Sequence, residues 1–214
     1  MSVDLGAWYR EARTRIGLLV SDDVGDLASP ATPSWTVHDV VAHLAGVAED
    51  ARNGNMAGAT TDPWTAAQVE RGRGKSIAQL LAQWAADAGL VEAFLSTPEG
   101  ADSSWRAVLD IHTHEADLCT ALGQPVALPA EFLAWMRPRM LDPFHATVAA
   151  AGVPPVAVVA SDLDVFRGRL GRRTPAEVRA YLHPIDPADS LDTHLDTYLD
   201  AWFIFGRAES SLAE

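Results

Sequence analysis

The residues of this chain whose types and spacing could do chemistry gather in the stretch Asp110-Ile-His-Thr-His-Glu-Ala-Asp-Leu-Cys119. On a helix of ~3.6 residues per turn, Asp110, His114 and Asp117 share one narrow stripe, so a carboxylate and an imidazole four apart can point at a common atom. That is a chelating geometry. A catalytic divalent metal takes about three protein groups and keeps a position for water or substrate. The third ligand is sought elsewhere, and His43, inside Trp35-Thr-Val-His-Asp-Val-Val-Ala-His-Leu-Ala-Gly46, is the candidate. The hypothesis is therefore a metal site of His43, Asp110 and His114. Asp117 lies one residue too far along to be an equal ligand, and is expected to orient a neighbouring histidine or arginine. Plainer readings compete with this one. Asp110, His114 and Asp117 could be a hydrated polar face, and His43, at the edge of an apolar stripe, a half-buried core histidine. His112 shares a different, apolar stripe with Trp105, Val108, Leu109 and Ala116, and becomes the ligand in place of His114 if the helix is rotated.

The elements that must position these side chains follow from apolar spacing. Helix one is expected from Asp4 to about Val24. Helix two opens at Thr36, with Asp39 completing a shortened capping box, and carries the stripe Val37, Val40, Val41, Leu44 and Val47. His38, well round that helix, is expected to face solvent. The segment 53–75 is polar and glycine-rich and reads as a long loop carrying Trp64, Arg71 and Arg73. Helix three spans Ser76 to Leu95. Helix four, capped by Asp102 or Ser103, holds the chelating stripe and closes at Gly123. Four such helices make an antiparallel bundle, whose sites are built in the core from facing helices.

After Gln124-Pro125 the pattern changes. Ala130 to Ala150 reads as a helix interrupted near Pro138 and Pro143. Val156 to Ala160 and Val165 to Leu170 read as short strands joined by a Ser-Asp-Leu-Asp turn. A helix starts at Thr174-Pro175, and a last one covers about His194 to Phe205. The expected fold class is mainly α, a four-helix bundle over residues 1–124 followed by a small α+β domain over 125–214.

Composition limits the function classes. With 48% hydrophobic residues in 214, the chain can bury a sizeable core. A net charge of -13 argues against a nucleic-acid partner, and the basic run Arg167 to Arg173 is too short to reverse that. No segment approaches the ~18 consecutive apolar residues of a membrane span, and the first residues lack a basic start followed by an apolar block. A soluble cytoplasmic protein without membrane contact is expected. The single cysteine, Cys119, falls in line with the apolar stripe of its helix and reads as a buried inert thiol. Fifteen of the sixteen basic residues are arginine, alongside abundant alanine and glycine, as in a GC-rich bacterial genome.

Two motifs, Trp35-Thr36-Val37-x-Asp39-Val40-Val41-x-His43-Leu44-x-Gly46 and His114-Glu-x-Asp117-Leu-x-x-Ala-x-Gly123-x-Pro125, resemble those of the mycothiol-dependent maleylpyruvate isomerase family, in the DinB-like four-helix superfamily. Gly171-Arg-Arg-Thr and Phe205-Gly-Arg-x-Glu resemble the ends of its accessory C-terminal domain. The resemblance implies a metal, zinc with nickel as the alternative, held by His43, Asp110 and His114. This chain has Asp110 where the family commonly has Glu, one methylene shorter, and Cys119 where Arg is common. It also implies mycothiol as thiol cosubstrate: a metal with an open position lowers the pKa of a thiol and makes it a nucleophile. The expected activity is isomerisation or S-transfer on a small electrophilic, carboxylated substrate. Arg71, Arg73, Arg167 and Arg169 are candidate clamps for carboxylate or cofactor, the last two leaving one face of the expected strand. The partners are the substrate and the thiol, with the chain a monomer or homodimer. The alternative is a metabolite-binding or self-protection protein on the same bundle, its metal site weakened by Asp110 or lost.

Overall fold

The computed structural model of the chain describes residues 3–212 and is mainly helical. The described residues divide into two compact units, the first running to Val126 and the second starting at Ala127.

The first unit is a DinB-like bundle of four long helices, α1 (Leu5–Leu19), α2 (Val37–Asn53), α4 (Ile77–Leu95) and α6 (Arg106–Ala121), with the shorter α3 (Asp62–Gly72) and α5 (Pro98–Ser103) between them. α1 buries Leu5, Tyr9, Ala12 and Ile16, residues that recur every third or fourth position. It stops short of Val24 because Val20 is extended; residues 22–24 form a separate 3-10 turn. The capping box read at the start of α2 is formed: the Thr36 side chain accepts from the Asp39 amide, and the Asp39 carboxylate accepts from the Thr36 amide at 3.0 Å.

Two segments of this unit differ from the sequence reading. The expected loop 53–75 contains α3, with Pro63 in its first turn and Gln68, Val69 and Gly72 as its buried face. That face is small and polar, so no apolar period announces it. Its close seat on α2 is set by glycines: a Cβ on Gly72 would lie 2.4 Å from Ala42 Cβ, and one on Gly46 would lie 2.6 Å from Gln68 Cβ. Asp102 and Ser103 belong to α5, and α6 begins after Trp105, which makes no side-chain cap. The bundle is tied across α1 and α6 by Arg15, whose guanidinium donates to both carboxylate oxygens of buried Glu115 at 2.5 and 2.9 Å.

The second unit holds α7 (Ala130–Ala150), β1 (Val156–Val158), α8 (Asp162–Arg169), α9 (Pro175–Tyr181), β2 (Leu182–Pro184) and α10 (Leu195–Trp202). α7 continues through Pro138 and Pro143. Each proline forfeits one backbone bond, but Phe132, Met136, Met140, Phe144 and Val148 bury one continuous face that holds the helix together. β1 pairs antiparallel with β2, Val156 opposite Pro184 and Val158 opposite Leu182. The expected second strand, Val165 to Leu170, is instead helix α8. What read as a turn is its N-terminus: the Ser161 hydroxyl accepts from the Asp164 amide at 3.0 Å. Asp162 and Asp164 occupy the first turn and Arg167 and Arg169 the last, the charge order that suits a helix dipole.

Among the described residues, no helix is long and apolar enough to cross a membrane.

Candidate metal centre

α6 is buried nearly all round, with Val108, Ile111, His112, His114, Ala116, Asp117 and Leu118 enclosed. A stripe diagram therefore does not decide which histidine meets α2; the rotation of the packed helix does. His114 faces His43 of α2, their ring centroids 5.1 Å apart at 77°. Asp110 sits between them, with Oδ2 3.4 Å from His43 Nε2 and Oδ1 3.6 Å from His114 Nε2. One ligand atom from each of the three lies within 4.8 Å of the other two. Both histidines are buried, at 5% and 7% exposure, while the Asp110 side chain is 37% exposed and forms the open side.

The donor chemistry fits a divalent metal. The two separations are long for charge-assisted hydrogen bonds, which run ~2.7–2.9 Å. They match the ligand-to-ligand edge of roughly 3.4 Å that tetrahedral bonds of ~2.0–2.1 Å produce. Each imidazole also presents the correct nitrogen. His43 Nδ1 donates to Gln68 Oε1 at 2.7 Å, which leaves the Nε2 lone pair toward Asp110. His114 Nδ1 lies 3.2 Å from Oδ2 of fully buried Asp117 without forming a hydrogen bond to it, and again Nε2 is turned to Asp110. Burial works to lower the His43 pKa, but the Asp110 carboxylate beside Nε2 and the Gln68 oxygen that accepts from Nδ1 outweigh it and raise it.

Trp35, just before α2, covers both rings. It is stacked at 29° on His114 with centroids 5.8 Å apart, and tilted against His43 at 5.3 Å. Tyr9 of α1, which accepts from Trp84 Nε1 at 3.1 Å, lies within the field of Asp110. Burial, with the Asp110 charge adding to it, pushes the Tyr9 phenol above its usual range.

His112 is buried, donating from Nδ1 to Val108 O at 2.8 Å, and burial pushes its pKa down to about 4. His112→Ala is accordingly expected to keep the metal and to lose about 2–3 kcal/mol in chemical denaturation through the cavity it leaves. Lost metal with unchanged stability would reverse the roles of the two histidines. His38 is half-buried, not solvent-facing, because its Nε2 donates to Lys75 O at 2.7 Å. Cys119 is half-buried, not buried as expected, on the Arg15 side of α6.

Arg71, on α3, donates to Asp50 Oδ1 at 2.8 Å and reaches Glu49 at 3.4 Å. Arg73 is exposed and pairs with Glu70 at 3.1 Å. Arg167 and Arg169 are enclosed within the second unit, at 0% and 3% exposure, and the shared strand face assigned to them does not exist. Gln68 and Trp35 are site residues that the sequence does not mark as such. Trp35 stood in the quoted motif without a role, and Gln68 had no signal beyond Thr61-Asp-Pro, a helix start inside an apparent loop.

Two inward histidines with a carboxylate between them, offered by α2 and α6, define a helical bundle with a candidate metal site in its core. Residues 9–119, more than half of the chain, match the family described as mycothiol maleylpyruvate isomerase N-terminal domain, and the chain belongs to that family. No curated protein and no solved structure matches it.

Proposed function

We propose that this protein is a metal-dependent enzyme that uses mycothiol, or a closely similar low-molecular-weight thiol, as cosubstrate in isomerisation or S-transfer on a small electrophilic, carboxylated substrate. The observation that carries the reading is the placement of His43 Nε2 and His114 Nε2 on either side of the Asp110 carboxylate, in a chain of the mycothiol-related family. Zinc fits the two nitrogens and one oxygen, with nickel as the alternative. When bound, the metal supplies a Lewis acid that keeps a thiol ionised at neutral pH.

The chain's own residues supply the rest. His43 and His114 offer Nε2 toward Asp110, with their Nδ1 atoms turned to Gln68 and Asp117. Asp110 adds one negative charge and, being partly exposed, leaves the approach to the site open on its side. Trp35 excludes water from the faces of both rings. The shorter reach of Asp110 relative to a glutamate is met by the packing of α2 on α6, which brings His43 Nε2 to 3.4 Å from it, while His114 reaches it from the next turn of the same helix.

The test is protein purified without a polyhistidine tag. Near-stoichiometric zinc or nickel is expected. Titration of the cobalt-substituted protein with mycothiol is expected to add a near-ultraviolet sulfur-to-cobalt charge-transfer band, and titration with mycothiol disulfide is not. Bound cobalt with no band at saturating thiol would sink the thiol reading and put a metabolite-binding or self-protection protein ahead.

A further inference from the structure

His43 is held from behind by a buried chain of polar side chains that ends well away from the candidate metal centre. His43 Nδ1 donates to Gln68 Oε1 at 2.7 Å, and Gln68 Nε2 donates to Asp50 Oδ2 at 2.8 Å. The other oxygen, Asp50 Oδ1, accepts from Arg71 at 2.8 Å and from Asn55 Nδ2 at 2.9 Å. Gln68 is 1% exposed and Asp50 3%, so neither can exchange its partner for bulk water.

The direction of this chain is chemically determined. An ionised carboxylate only accepts, so the Gln68 amide must present its NH2 to Asp50 and its oxygen to His43. That oxygen only accepts in turn, so the His43 proton must sit on Nδ1. Burial of Asp50 opposes its ionisation, but hydrogen bonds from Gln68, Asn55 and Arg71 outweigh it and hold the carboxyl below the usual range. The fold is shaped to admit the arrangement. His43, Gly46 and Asp50 stand at i, i+3 and i+7 on the face of α2 that α3 covers, and any Cβ at Gly46 would fall 2.6 Å from Gln68 Cβ.

We infer that Gln68 and Asp50 are positioning residues for His43, a relay anchored by Arg71 and Asn55 that fixes the imidazole as its Nδ1–H tautomer and aims Nε2 at the ligand position beside Asp110. Partners of this kind behind a ligating histidine raise its basicity and restrict its orientation. The relay also assigns Arg71 a role, as a donor that with Asn55 anchors the outer oxygen of Asp50. The inference rests on the metal-binding reading for its benefit, but the tautomer itself is a property of the metal-free protein.

Two measurements decide it. The first is imidazole 15N chemical shifts of His43 in the metal-free protein, which distinguish the two neutral tautomers; the second is zinc affinity by competition with a chromophoric chelator. The wild type is expected to show the Nδ1–H form, and Gln68→Leu a mixture of tautomers with zinc affinity reduced about 10–100-fold. The double variant Gln68→Glu/Asp50→Asn exchanges acid and amide while keeping an acceptor for His43. It is expected to retain the wild-type tautomer and zinc affinity within about threefold, and it keeps the test decisive if Gln68→Leu does not fold. A merely structural role for Gln68 would lower the midpoint of unfolding without moving the tautomer. Zinc bound by folded Gln68→Leu within twofold of wild type, or an unchanged tautomer in that variant, overturns the inference. A double variant that loses the Nδ1–H form while folded overturns it equally. If the wild type retains no zinc, the metal reading fails, and the tautomer measurement still judges the relay.

Discussion

Alanine at His43 or at His114 is expected to abolish zinc retention while leaving helical content nearly intact. Each substitution removes one of two nitrogen donors, and the remaining nitrogen and the single Asp110 carboxylate, which is also partly open to water, would hold zinc no more firmly than a surface pair does. The structural damage is smaller. Both side chains are buried, so a cavity is left, and His43→Ala also strips Gln68 Oε1 of its donor, which together cost about 2–4 kcal/mol. A domain with the core of this bundle, including fully enclosed Trp84, Leu44 and Ile77, absorbs that. Metal content by elemental analysis and helicity by far-ultraviolet circular dichroism are read on the same preparation. Full metal in either variant would make the three-residue site wrong.

Charge reversal at Arg167 or Arg169 is expected to unfold the second unit, not to tune anion binding. Arg169 Nη1 donates to Ala201 O at 2.7 Å and also to Trp202 O, closing the C-terminal end of α10, where a cation is favoured. Its guanidinium lies 5.7 Å from the ring centres of Phe144 and Trp202. Burial pushes its pKa down to about 10, so the charge is held there against desolvation by those carbonyls and rings. A glutamate at 169 would place an anion against two backbone carbonyls in the same enclosure, and one at 167 would enclose an anion where no exposure remains. Losses of at least about 4 kcal/mol follow from an uncompensated buried charge. Limited proteolysis of Arg169→Glu should cut within residues 127–213. A folded second unit with altered anion affinity would restore the clamp reading for these arginines.

The contrast between the two sets of residues shows where the sequence was readable. The helical class and the long helices α2 and α4 follow from apolar spacing and from side chains that cap in place, Thr36 with Asp39 and Ser76 at the start of α4. These interactions are local, closed within one turn, so the same chain segment encodes and satisfies them. The pairing of Asp110 with His114 is of that kind as well, since four residues on a helix fix their relative position. Segments whose local signals conflict are decided by packing. Val165-Phe-Arg-Gly-Arg-Leu170 alternates like a strand, yet Ser161 and Asp164 start a helix there, and the enclosure of Phe166 against Phe132 at 5.4 Å decides for it.

By itself, then, the sequence determined a mainly helical chain with a carboxylate and an imidazole poised on one helix and a third donor, His43, on another. Only the tertiary structure decided that α6 is rotated to bring His114 and not His112 to His43, because α6 is buried on nearly every side and its own apolar pattern is compatible with both. It alone decided that Gln68 stands behind His43. That contact joins residues 25 apart through a seat made by the missing side chain of Gly46, and a glycine among polar neighbours leaves no periodic trace of what it lets approach.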